Sequence, residues 1–340
     1  MTDNRILVCQ QPGELSYTTK VLGEIKEGHS LLKIKRIGIC GTDLHAFGGT
    51  QPYFSYPRVL GHELAAEVVQ SSDAQHYSPG DQVTIMPYLS CGDCLACRNG
   101  KTNCCAKMQV FGVHRDGGMA QYLQVPTWLL VKGEGLSLDE LALVEPLAIG
   151  AHGIRRAGVT SGEFVLVIGA GPIGLGTMEF ARIAGAKVIA LDVNDTRLDF
   201  CRDKLQVNHL INAAKEDVEA RLLEITGGNM PQVVIDATGN QKAINGAFQY
   251  VGHGGRFVLI GLQKGEICFS HPEFHKREAT LMSSRNATSE DFEQVISAIK
   301  NKLVDPLQFI THRASFEQVA NEFKNWLDPE QGVIKAMVYL

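Results

Sequence analysis

The stretch FVLVIGAGPIG at residues 164–174 decides the fold. Its first five residues are all apolar, as in a strand buried on both faces. The run then enters Gly169, Gly171 and Gly174, and a segment of helical length continues to about Ala184. A strand, a glycine turn and a helix in that order suit a dinucleotide. One glycine makes the tight turn, the next lets a pyrophosphate approach the backbone, and the third lets the helix pack on the strand. Pro172 and Ile173 open that helix, whose N-terminus attracts phosphate charge. Asp192 follows 18 residues after Gly174, at the end of the next apolar run. A carboxylate there can hold both ribose hydroxyls and repels a 2′-phosphate, so NAD is expected rather than NADP. Arg197 is near enough to bear on that choice, although a solvated helix position is its plainer reading.

Outward from this turn, apolar runs recur as KVIAL (187–191), NHLI (208–211), QVVID (232–236), RFVLI (256–260) and TLM (280–282), separated by helical segments. Such alternation predicts βα units building one doubly wound parallel sheet, an α/β fold. The first 130 residues read differently, with short β-branched runs at 31–39, 64–69 and 82–86 punctuated by Gly, Pro and Asp. They predict a mostly β domain. Ser137 and Glu140 form a capping box, and one helix is expected from there to about Ala157, linking the domains. An amphipathic helix near Asp291 to Lys300 and a terminal strand, KAMVYL, return to the first domain. The expected boundaries are 1–148 with 287–340, and 149–286.

Composition narrows the function classes. The 340 residues carry 32 basic and 37 acidic side chains, a net charge of −5, with no basic run suited to nucleic acid or an anionic membrane. A small-molecule substrate fits this surface. The longest apolar run, Phe164 to Met178, is interrupted by glycines and falls short of the roughly 18 residues of a membrane span. The N-terminus has too short an apolar run for a signal-peptide core, so a cytoplasmic location is expected. Nine cysteines in such a chain point to metal ligands or buried thiols before disulfides.

Four of those cysteines lie in CGDCLACRNGKTNCC (91–105), at Cys91, Cys94, Cys97 and Cys105, with Cys104 as a spare. Four thiolates on one loop meet the tetrahedral all-sulfur preference of structural zinc. A [4Fe–4S] cluster is the rival reading of similar spacing. Either way four protein ligands close the site, which makes it a staple for the loop. A second set is dispersed: Cys40 in GICGTDLH, His62 and Glu63 in RVLGHE, and Glu145 in VEPLA. A thiolate, an imidazole and a carboxylate give a three-ligand zinc site with a fourth position open for substrate. Singly, each has a plainer role, as a small buried thiol, a core histidine or a helix N-terminal carboxylate. Glu145, however, sits in an apolar run where an uncompensated carboxylate costs several kcal/mol, roughly, and so calls for a cation.

Taken together, GICGTDLH, GHE, the four-cysteine lobe, VEPLA and GAGPIG resemble the zinc-containing medium-chain dehydrogenases over essentially the whole chain. The resemblance implies a GroES-like catalytic domain, a Rossmann domain, a cleft between them, two zinc ions per chain and assembly as a homodimer or homotetramer. The pair GHE and VEPLA is similar to the sorbitol and threonine dehydrogenase side of that family. By that likeness Cys40, His62 and either Glu63 or Glu145 ligate the catalytic zinc, and Thr42 starts a proton relay toward His45. ILVCQQP, GVHRDGG, IDATGNQ and FHKREATLMSSRNAT resemble bacterial sugar-acid dehydrogenases acting on L-galactonate or L-gulonate. This implies oxidation of the C5 hydroxyl of a six-carbon sugar acid to a keto-uronate, with a polyol or L-threonine as alternative substrates. Arg285 and Asn286 fall where polyol dehydrogenases contact substrate, and an arginine can grip a carboxylate with two parallel bonds. Arg58 and His114 are further candidates. A non-catalytic redox sensor of the same fold would be expected to lose Cys40, His62 or both glutamates, and none is lost. A zinc-ribbon nucleic-acid module would carry two CxxC pairs and a basic surface, unlike this acidic chain.

Overall fold

The computed structural model describes residues 3–52 and 54–340. The chain divides into two compact units, Met1–Pro146 with Thr288–Leu340, and Leu147–Ala287. In the second, six parallel strands follow the apolar runs of the sequence: Phe164–Ile168, Lys187–Asp192, His209–Asn212, Val233–Asp236, Arg256–Leu259 and Thr280–Ser283. Counted along the chain they lie 3-2-1-4-5-6, the doubly wound order in which ligands bind at the carboxyl ends of the strands where the winding reverses. Leu166, Ile168, Ile189, Ile211, Val234 and Phe257 fill one face of this sheet, whose inner strands are buried while the edge strand Thr280–Ser283 is largely exposed.

The first unit is mostly β. Its largest sheet runs Leu130–Lys132, Gln82–Ile85, Glu63–Ser71, His29–Ile39, Lys335–Tyr339, Ile310–Ser315, with Tyr122–Pro126 also paired to His29–Ile39. A smaller sheet joins Asp3–Gln11 to Glu14–Val21 and Arg58–Val59. The long strand His29–Ile39 is the axis of the unit, antiparallel to Glu63–Ser71 on one side and to the C-terminal strand on the other. Its register sets Gly38 opposite Glu63 and Ile39 opposite Ala336. Leu32, Ile34 and Ile37 are fully buried within the core of this unit, with Leu64, Val83, Phe316 and Phe323.

One element departs from expectation. Ser137 caps its helix as the capping box predicts, its hydroxyl accepting from Glu140 N while Glu140 accepts from Ser137 N at 2.6 Å. That helix, however, ends after Leu138–Ala142, and a second, Val144–Ala157, begins beyond Leu143. Pro146 explains the break. It has no N–H to give the carbonyl of Ala142, and its ring would crowd that carbonyl in a continuous helix, whereas in a first turn both faults are harmless. The break leaves Glu145 in the first turn of the second helix.

Among the described residues no helix is long and apolar enough to cross a membrane.

Candidate active site

The axial strand ends at Ile39, and Cys40 caps the helix Gly41–Phe47 that follows. Glu63 opens the neighbouring strand and His62 immediately precedes it, so antiparallel pairing brings the two segments together. Cys40, His62 and Glu63 offer one sulfur, one nitrogen and one oxygen within 4.8 Å of one another. His62 and Glu63 are buried. Among the described residues the His62 Nδ1 has no hydrogen-bond partner, and it stands 3.7 Å from Asp43 Oδ1. A buried imidazole left unsatisfied among a thiol and a carboxylate fits a zinc ion, whose open sites use this mixture of soft and hard donors.

Three residues that sequence reasoning passed over complete the setting. Asp43, fully buried, accepts from Cys40 N at 3.0 Å and from Gly61 N at 3.1 Å, tying the two donor segments together. Burial pushes its carboxyl upward, and His62 and those N–H groups draw it partly back. Lys335, the first residue of the C-terminal strand, places its Nζ 2.6 and 2.7 Å from the two oxygens of Glu63. Burial works against a charged Lys335, but Glu63 and Cys40 overcome it and hold the ammonium above its ordinary range. Tyr88 donates its hydroxyl to Glu145 Oε1, and both residues are buried. Burial drives Glu145 upward, opposed in part by His62. Lys335 and Tyr88 lie in no recognisable local motif, while Asp43 lies within GICGTDLH, where Cys40 drew the reading instead.

Close approach at Gly38 is what admits the ion pair. A Cβ built there would lie 2.2 Å from Glu63 Oε2.

Thr42 and His45 sit three apart on the helix Gly41–Phe47. His45 is exposed, and its Nδ1 meets Thr50 Oγ1 at 3.0 Å. That hydroxyl also donates to the His45 carbonyl at 3.3 Å, an arrangement that suits the tautomer with the proton on Nδ1. Arg58 reaches Ser55 Oγ at 3.0 Å and Asp116 at 3.6 Å, and exposed His114 accepts from Val110 N at 3.1 Å. Arg285 is exposed and Asn286, at φ +53°, is half-buried, both in the Rossmann-type unit just past its last strand.

The four cysteines Cys91, Cys94, Cys97 and Cys105 also gather, with ligand atoms within 4.8 Å of one another. Backbone N–H groups point at the sulfurs: Cys91 N at Cys105 Sγ, 3.2 Å; Cys94 N at Cys91 Sγ, 3.3 Å; Lys107 N at Cys105 Sγ, 3.3 Å. Such donors favour thiolates, and the Cys94 thiol is drawn down to about 6. Burial and the neighbouring sulfurs instead push Cys97 up to about 12. Four sulfurs this close cannot all be anions without a cation among them, which suits a closed all-thiolate zinc site. Cys104 is exposed and outside the set.

In the second unit Gly171 caps the helix Pro172–Ile183, with Pro172 in the first turn and Ile173 next to it. Gly169 has φ +98°, and a Cβ on Gly174 would fall 1.8 Å from the Gly169 carbonyl oxygen, so the turn admits only glycine at both places. Asp192 Oδ2 accepts from Ala170 N at 2.7 Å, while Oδ1 accepts from Val193 N at 2.7 Å and Asn194 N at 2.9 Å. Three of about four lone-pair sites are therefore committed to the turn, a tighter setting than the spacing of the motif conveys. Asp236, fully buried at the end of QVVID, steadies the adjoining loop through Thr238 and Gly239. Arg197 is half-buried on the next helix.

Gly38→Ala is expected to cost about 1–3 kcal/mol by overpacking, read as a lowered thermal midpoint. A parent-like melt would show that the strand yields to the side chain.

Comparison with known proteins places this architecture. Residues 26–135 match the alcohol dehydrogenase GroES-like domain family and residues 172–301 the zinc-binding dehydrogenase family. The chain is 43% identical to the L-galactonate-5-dehydrogenase of Escherichia coli K12 over 99% of each chain. Among solved structures, an alcohol dehydrogenase of Escherichia coli CFT073 complexed with NADH superposes with a TM-score of 0.93 at 28% identity, covering 99% of each chain. A zinc-binding dehydrogenase of Sinorhizobium meliloti 1021 bound to NADP gives 0.91 at 26% identity over 100% of each chain. The chain belongs to the zinc-dependent medium-chain alcohol dehydrogenases, oxidoreductases with a GroES-like and a Rossmann domain, a nicotinamide cofactor, and relatives that act on polyols and sugar acids.

Proposed function

We propose that the protein oxidises the C5 hydroxyl of a six-carbon sugar acid, L-galactonate, to the keto-uronate D-tagaturonate, with NAD as acceptor. The observation that carries this reading is the full-length 43% identity to a dehydrogenase of that name. The complete donor set of Cys40, His62 and Glu63 supports it.

In this reading Cys40, His62 and Glu63 hold one zinc, and Cys91, Cys94, Cys97 and Cys105 hold a second as a staple. The first zinc, when bound, supplies Lewis acidity that lowers the pKa of a substrate hydroxyl toward neutrality. Thr42 accepts the hydroxyl proton and passes it toward His45, whose free Nε2 hands it to solvent. A nicotinamide held at the glycine turn would supply the hydride acceptor, so that one alcohol and one NAD would give one ketone, one NADH and one proton. Gly169, Gly171, Pro172, Ile173 and Gly174 hold the pyrophosphate, and Asp192 spends its remaining acceptor site on the adenosine ribose. Arg285 and Asn286 recognise the substrate, the guanidinium taking the carboxylate; Arg58 and His114 serve as secondary contacts.

Zinc analysis separates the two ion sites. The parent should carry two per chain. Cys40→Ser should retain the staple ion and lose activity, and Cys97→Ser should lose the staple ion and loosen the lobe. A parent-like zinc count and rate in Cys40→Ser would remove the assignment of that site.

Substrate class is tested by following reduced nicotinamide with a panel of aldonates, polyols and L-threonine. L-Galactonate should give the highest kcat/KM, and Arg285→Ala should raise KM for the acid about tenfold or more, as loss of a charge-assisted contact does, while sparing neutral polyols. Turnover of sorbitol or threonine with none for L-galactonate or L-gulonate would overturn the sugar-acid reading.

For the cofactor, Asp192→Ala should lower the NAD to NADP ratio of kcat/KM by about 10- to 100-fold, the range of a hydrogen bond to a charged group. The ratio is the readout because loosening the turn affects both cofactors alike. An unchanged ratio would exclude Asp192 from the ribose.

A further inference from the structure

Glu63 and Glu145 are both buried in the same unit, yet they are held by partners of opposite kind. Glu63 is locked against a cation, with Lys335 Nζ within 2.7 Å of each carboxylate oxygen, and it is one of the three converging donors. Glu145 is not one of the three, and accepts from the neutral hydroxyl of Tyr88. We propose that Tyr88 is a positioning residue for the open ion site: its hydroxyl tethers Glu145 outside the donor set of Cys40, His62 and Glu63. The inference rests on the reading of those three as zinc ligands.

Several features make the tether stiff. Tyr88 stands on the short strand Tyr88–Leu89, in register with Val110 of Gln109–Val110. Its ring packs edge-on against Phe292, with centroids 6.5 Å apart and planes at 83°. Phe292 is itself fully buried and Tyr88 only 5% exposed, so close packing on this side restrains the phenol. The same two strands bracket the four-cysteine loop, which starts at Cys91 and ends at Cys105. Closing that loop on its sulfurs therefore clamps the strand that carries Tyr88.

Glu145 is equally fixed at its root, in the first turn of Val144–Ala157 and one residue before Pro146. Only its side-chain torsions decide between phenol and ion. Phenol to carboxylate is a charge-assisted hydrogen bond, and leaving it would strand a buried hydroxyl without an acceptor. While the bond holds, the ion keeps three protein ligands and a position free for the substrate hydroxyl. Without it, Glu145 enters as a fourth protein ligand and competes with substrate.

The test is Tyr88→Phe, which removes the hydroxyl and keeps the ring, in enzyme loaded with Co²⁺ as a spectroscopic substitute. The spectrum of Cys40→Ser supplies the four-thiolate component, and subtracting it isolates the open site. Tyr88→Phe should change the open-site visible bands, make them insensitive to added substrate, and slow loss of that ion to a chelator by about tenfold, the scale of one hydrogen bond. KM should rise more than kcat falls. Tyr88→Phe with Glu145→Gln should return the chelator rate to that of the parent. Parent-like bands and release in Tyr88→Phe overturn the proposal, as does a change that the double variant fails to reverse, since displacement of the ring would then be its cause. If the parent itself shows no cobalt component beyond the four-thiolate one, it is the zinc-ligand reading that fails.

Discussion

The ion pair of Lys335 and Glu63 is the constraint on which the rest of the catalytic unit depends. The two residues are 272 positions apart in the chain, on strands that flank opposite sides of His29–Ile39. Their side chains meet over that strand at the one position, Gly38, that has no side chain to obstruct them. A carboxylate and an ammonium removed from water cost several kcal/mol each unless paired with good geometry. Here pairing requires the C-terminal strand to be docked in register. The C-terminal strand therefore helps define the candidate metal site, and the Rossmann unit is an insertion between the two parts of the first unit.

Charge balance explains why so many acids tolerate burial together. Asp43, Glu63 and Glu145 are all at most 4% exposed, close to Cys40 and His62. Lys335 answers one carboxylate, backbone N–H groups and His62 answer Asp43, and a phenol satisfies part of Glu145. A thiolate at Cys40 added to this group still lacks a counter-charge, which a divalent cation supplies. Asp43 and Cys40 favour a charged His62 against burial, which is the same negative field that would favour a cation beside it.

Much of this is legible in the sequence, for identifiable reasons. Buried parallel strands announce themselves as apolar runs, and the inner strands Phe164–Ile168, Lys187–Asp192 and Val233–Asp236 stand out most, while the edge strands His209–Asn212 and Thr280–Ser283 are short and more polar. The glycine turn and the four-cysteine loop are local, with their geometry written into short spacings. The helix break at Leu143 is within reach, since Pro146 forbids a continuous ladder, but the capping box and long apolar run outweigh it. Lys335 and Tyr88 are not legible, because their meaning lies in strand register and in contacts 272 and 57 residues away. Asp43 is nearer, three residues from Cys40, yet an acid in the first turn of a helix has an ordinary reading as dipole partner.

The molecule separates what must be rigid from what selects. The candidate donors of the open site sit beside strand ends, Cys40 just after His29–Ile39, His62 just before Glu63–Ser71 and Glu63 at its start, where hydrogen-bond ladders allow little error. The residues offered for substrate recognition are different in kind. Arg285 and Asn286 lie in the stretch after the strand Thr280–Ser283, Asn286 in a left-handed conformation, and His114 is on an exposed turn. Substitutions in such segments alter contacts without disturbing a ladder. A family built this way can keep one hydride-transfer chemistry while its substrates range from polyols to sugar acids, because specificity and metal binding place their demands on different parts of the backbone.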